Sequence, residues 1–144
     1  MFTVLVASLA FVYPGAVAAP SLEARLPTPV PVYCTQSTSH SYAMLQEPGI
    51  YLGHDVCVRL LGQESPLAMS RAAEVLYHEW WHVAFQETDE RATECGTYSM
   101  LRYALRHFWG MSRARAQELY VEAFQWSPYA PLPCRPDVTD PVHN

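Results

Sequence analysis

The sequence predicts an α+β fold with more helix than sheet, folded as a single domain. Three observations lead there. Three long stretches carry apolar residues at helical spacing between clear start and stop signals. Two short runs rich in β-branched or aromatic residues, 30–34 and 50–52, read as strands that form a small ribbon. Half of the 144 residues are apolar and 16% are charged, a globular balance with material for one modest core.

Taken in order, residues 1–18 read as an export signal. An apolar run from Phe2 to Val12 is broken by Pro14-Gly15, and Ala16-Val17-Ala18 is a small-x-small cleavage site. The run is about twelve residues, short of the ~20 that a spanning helix needs. Residues 19–31 hold Pro20, Pro27, Pro29 and Pro31 and read as an extended, partly mobile lead-in. Residues 35–49, rich in Ser and Thr, read as a loop between the two strands. Ser65-Pro66 opens the first long helix, which runs to about Phe85 with Val75, His78, His82 and Phe85 on one face. The second runs from about Asp89 to Phe108, burying Ala92, Cys95, Met100 or Leu101, Leu105 and Phe108, and ends at Gly110. Ser112 caps the third, which reaches about Trp126 with Ala116, Leu119, Tyr120, Ala123 and Phe124 inward. The proline-rich remainder wraps the surface, residues 135–144 as a tail.

The first long helix carries His78-Glu79-Trp80-Trp81-His82, an H-E-x-x-H motif. Four residues make just over one turn, so both histidines project from one face and can grip one ion. Glu79 lies about 100° round the helix, placed to act on a water beside that ion rather than on the ion. Catalytic zinc takes three protein ligands and leaves a place for water. Glu90 is eight residues past His82; on an unbroken helix it would lie about 12 Å up the axis, so the chain must turn between them. Gln86-Glu87-Thr88-Asp89 suits that turn, with Thr88 or Asp89 as the cap of the next helix. Glu90 then supplies the third ligand. Glu94, one turn on, orients a ligand histidine through its other ring nitrogen.

At these residues the chain resembles the gluzincin clan of zinc metallopeptidases, in which H-E-x-x-H is followed by [N/D]-E-x-x-[S/A/T]-[D/E]. The pattern is carried by His78, Glu79, His82, Asp89, Glu90, Thr93 and Glu94. The short gap is similar to that of small secreted HExxH proteins of high-GC bacteria. Those also carry I-x-L-x-x-x-V-C-x-x-L, present here from Ile50 through Val56 and Cys57 to Leu60. The resemblance covers roughly residues 50–98, with a weaker echo at 129–134. It implies a zincin-like metal-binding domain over residues 32–134, with one Zn²⁺ and a peptide or protein substrate. It also implies that a strand beside the metal helix can take an extended peptide along its edge.

Four cysteines in an exported domain imply two disulfides, with three possible pairings. Cys34–Cys57, joining the strand regions, and Cys95–Cys134, pinning the tail to the second long helix, are favoured. A net charge of −5 argues against nucleic acid and anionic membrane as partners. His40, His54 and His143 read as loop or tail residues, and His107 as a helix-end cation. Any of these, or Tyr77 or Tyr98, is a candidate to polarise a scissile carbonyl. The expectation is a secreted, monomeric zinc metallopeptidase of the extracellular space or cell envelope, with Glu79 as general base. The alternative is a secreted binding module stabilised by zinc or disulfides and lacking turnover.

Overall fold

The computed structural model describes residues 15–36, 40–62 and 66–127. Among them are four short strands, β1 Val17–Ala18, β2 Val32–Cys34, β3 Tyr42–Met44 and β4 Gly49–Leu52. The helices are α1 Pro20–Glu23, α2 His54–Leu61, α3 Pro66–Phe85, α4 Glu90–His107 and α5 Arg113–Trp126. The fold is mixed α+β and mostly helical, as the periodicity predicts.

The sheet is larger than the expected ribbon. Its order is β1-β2-β4-β3, with β2 and β4 parallel and both edge strands antiparallel to their neighbours. Residues 42–44, read from sequence as loop, form edge strand β3. A three-residue strand between polar segments is too short to show alternation. Val32, Ile50 and Leu52 are fully buried beneath the helices. On the other face Tyr33, Tyr51 and Tyr42 stack across three strands, with centroids 5.0 and 5.1 Å apart.

Residues 54–61 also differ from expectation. His54, read as a loop residue, is the first residue of α2, which has Gly53 as N-cap and turns Cys57 and Leu60 inward. Cys57 bonds to Cys34, so this disulfide ties β2 to a helix rather than to a second strand. Cys95 is also disulfide-bonded. Its expected partner, Cys134, lies outside the described residues, as do Ser65 and the tail.

The lead-in is a packed strap, not a loose arm. Leu22, Leu26 and Val30, four residues apart, all enter the core. The Tyr77 hydroxyl donates to the Arg25 carbonyl at 2.7 Å, and Trp80 Nε1 donates to Thr28 Oγ1 at 3.1 Å. Of the stretch read as an export signal only residues 15–18 are described. Val17 and Ala18 pair with Cys34 and Tyr33, and Ala19 is buried.

Helix α3 occupies the centre, touching α2, α4, α5, β3 and β4. Its buried residues include Ala72, Ala73, Leu76, Tyr77, Trp80 and Val83. Phe85, expected on the core face, is 57% exposed and packs its ring only against Trp80 and Trp81 of its own helix among the described ring contacts. On α4 the inward face is Thr93, Glu94, Thr97, Tyr98, Leu101, Ala104 and Leu105; Ala92, expected inside, is exposed. Ser112 accepts a hydrogen bond from Arg115 N, capping α5, and Ala116, Leu119, Tyr120 and Ala123 are buried as expected. No helix of the described residues is long and apolar enough to cross a membrane.

Candidate metal centre

The ligand geometry starts at the break between α3 and α4. Gln86 takes a left-handed conformation, φ 53°, and turns the chain out of α3. The Glu87 carboxylate accepts from the amides of Thr88 and Asp89, both at 2.9 Å. Asp89 caps α4 by accepting from Ala92 N at 2.7 Å. The next residue is Glu90, so the cap aims its side chain back at α3.

Three candidate ligand atoms converge there. His78 Nε2 lies 3.1 Å from His82 Nε2 and 3.0 Å from Glu90 Oε2, and His82 Nε2 lies 3.5 Å from the same oxygen. Donor atoms bound tetrahedrally at zinc distances of ~2.05 Å stand ~3.3 Å apart. The triangle fits that size.

The other ring nitrogens decide what the three atoms carry. His82 Nδ1 is 2.6 Å from the Glu87 carbonyl, which can only accept, so Nδ1 holds the hydrogen. His78 Nδ1 is 2.7 Å from Glu94 Oε2 and donates to it. In neutral rings both Nε2 atoms are then bare lone pairs, facing each other and a carboxylate oxygen. Such an arrangement is repulsive unless a cation sits among them, and a metal ion or a proton meets that need.

The His78 imidazolium shows the competition. Burial disfavours its charge, but the Glu94 hydrogen bond and the charges of Glu74, Glu79 and Glu94 outweigh burial and push its pKa up to about 9. Glu79 is nearly buried, and burial raises its carboxyl despite the nearby histidines and a hydrogen bond from the Ala43 amide of β3. Glu94 is buried too, yet its hydrogen bonds with His78 and Ser127 hold its pKa below the usual range.

The structure thus brings His78, His82 and Glu90 to one point, with Glu94 behind His78 and Glu79 beside the pair. The centre matches a grouping able to hold a metal ion. Cys34 and Cys57 serve the fold. Tyr77, a candidate carbonyl donor, is fully buried with its hydroxyl engaged by Arg25 and by Trp109 Nε1 at 2.9 Å. His107 stacks on Tyr103 near the end of α4. Sequence reasoning missed the Glu87 carbonyl, Glu74 and Ser127, whose hydroxyl bonds Glu94 Oε1. Glu74 had a signal, since an acid four residues before His78 lies on the ligand face. A backbone carbonyl and a residue 33 positions away from Glu94 had none.

No family model, curated protein or solved structure matches the chain. The centre is read from its geometry and from the motif itself.

Proposed function

We propose that this chain is a secreted zinc-dependent peptidase of gluzincin type. The observation that carries the metal is the triangle of His78 Nε2, His82 Nε2 and Glu90 Oε2, with both Nδ1 atoms committed as donors elsewhere. Zinc, when bound, supplies Lewis acidity that makes water acidic near neutral pH. Glu79 receives the proton and later returns it to the leaving amine. Its burial favours that role, because a carboxyl raised above its ordinary range is a stronger base than a solvated one. Edge strand β3 packs on α3, and its Ala43 amide bonds Glu79, so an extended peptide paired along that edge would pass the base. The Cys34–Cys57 disulfide supports an oxidising compartment.

The test reads metal and turnover separately. Purified protein should hold one zinc ion; His82→Ala should lose it, and Glu90→Gln should bind it more weakly. Glu79→Gln should keep the ion and lower cleavage of a library-derived peptide by about 10²- to 10⁴-fold. Substoichiometric zinc that His82→Ala does not change would end the metal reading. Full activity in Glu79→Gln would end the mechanism. A zinc-loaded protein that cleaves no peptide would leave the binding module.

A further inference from the structure

We propose that Ser127 is a positioning residue of this centre: from the end of α5 its hydroxyl pins the Glu94 carboxylate, and Glu94 in turn holds the His78 ring with Nε2 aimed at the ion. The inference rests on the metal reading above. The Ser127 hydroxyl donates to Glu94 Oε1, and His78 Nδ1 lies 2.7 Å from Glu94 Oε2. The two oxygens of one carboxylate are thus shared between α5 and α3.

Burial makes the second contact matter. The Glu94 side chain is only 1% exposed, so its oxygens draw their donors from the protein rather than from solvent. A carboxylate held at one oxygen can still turn about its last side-chain bond; held at both, its plane is fixed. The terminal torsion of a glutamate is broad, so the side chain does not supply this restraint by itself. The 2.7 Å separation from Nδ1 is a hydrogen bond, shorter than the ~3.3 Å between two ligands of one zinc. Glu94 therefore acts on the ion through His78 and not as a further ligand.

Helix packing brings Ser127 to this place. Helix α5 lies against both α3 and α4. The ring of its last residue, Trp126, sits under the Arg71 guanidinium at 4.0 Å, and Arg71 precedes His78 by two turns of α3. Ser127 then leaves the helix in an extended conformation, φ −68° and ψ 125°. Serine is favoured at helix N-caps, where its oxygen accepts from free amides; a helix C-terminus presents carbonyls instead. Here the hydroxyl crosses to α4. The contacts close a ring through three helices, from Arg71 of α3 to the end of α5, across to Glu94 of α4 and back to His78.

The experiment compares zinc affinity, by chelator competition, in the full chain and in Ser127→Ala and Ser127→Thr. Loss of outer support to a ligand histidine typically weakens metal binding by about 10- to 100-fold. Ser127 stands one contact further out than Glu94, so Ser127→Ala should fall at the low end, about tenfold weaker. Threonine keeps the hydroxyl and suits extended backbone, so Ser127→Thr should stay within about twofold of wild type. A double-mutant cycle separates positioning from a merely structural effect. In a Glu94→Ala background, Ser127→Ala should change zinc affinity by less than about twofold. Thermal melts of the metal-free forms check folding, and Glu94→Leu takes the place of Glu94→Ala if that variant does not fold. Wild-type affinity in Ser127→Ala, Ser127→Thr as weak as Ser127→Ala, or an equal loss in both backgrounds would overturn the positioning role while leaving the metal centre standing. Wild-type protein without zinc affinity would overturn both.

Discussion

In the proposed centre a proton and a metal ion would compete for one lone pair on His78. The metal-free ring holds its proton up to a pKa of about 9, against ~6.5 for an unfolded histidine. A raised folded-state pKa contributes stability that is fully present below ~6.5 and is lost as pH climbs through about 9. Zinc bound as proposed would have to displace the same proton, so its affinity would run the other way. Two outcomes are expected between pH 6.5 and 9. Urea unfolding of metal-free protein should show falling stability. Chelator competition should show zinc affinity rising by up to about tenfold per pH unit, then levelling above 9. Zinc affinity that stays flat across this window would mean that His78 does not carry the competing proton.

At the scale of elements, the centre depends on how closely α4 lies against α3. Gly96, one turn beyond Ala92 on α4, meets the Trp81 indole of α3. A Cβ built at Gly96 would sit 2.0 Å from Trp81 Cε2 and 2.3 Å from Cζ2. Helix propensity by itself favours Gly96→Ala by about 1 kcal/mol. Overpacking of this kind costs about 1–3 kcal/mol, and the overlap with a ring hemmed in by Phe85 at 4.2 Å decides for the larger cost. Gly96→Ala should therefore be less stable to urea despite its better helix former. Because Trp81 directly precedes His82, its zinc affinity should also fall. A more stable variant would show that the two helices have room to part.

Across the whole molecule, α3 is held from every side so that its ligand face stays in register with α4. The strap before β2 closes one side: Trp109 Nε1 donates to the Tyr77 hydroxyl, Tyr77 donates to the Arg25 carbonyl, and the Arg25 guanidinium bonds the Phe108 carbonyl. Arg71 stacks on Trp126 at 4.0 Å, fastening the end of α5 to α3, and the next residue, Ser127, reaches Glu94. The Cys34–Cys57 bond closes a loop with a sequence separation of 23 residues. Loop-closure entropy for that length is about 3 kcal/mol. A Cys34→Ala, Cys57→Ala double variant should lose roughly that much in urea unfolding. A loss well under 1 kcal/mol would show that the reduced chain is already restrained there.

Much of this architecture is local, and local features were legible in the sequence. Helix α3 ends at Phe85, Asp89 caps α4 and Ser112 caps α5 because capping and helical spacing depend on neighbours one turn away. The shared face of His78 and His82 follows from the same four-residue geometry, and the need for a turn before Glu90 follows from helix rise. Short elements were not legible: β3 has three residues and α2 has eight. Nor was the parallel pairing of β2 with β4, which depends on the path of the intervening chain. The supports of the centre lay further out of reach. The Glu87 carbonyl behind His82 has no side-chain signature, and Ser127 meets Glu94 only after α5 has folded back across α3. The sequence by itself determined which atoms can bind an ion and which helix faces they occupy, since those follow from residue type and helical period. The tertiary structure decided their tautomers, their charges and their closing to 3.0–3.5 Å, because those depend on partners that only packing brings together.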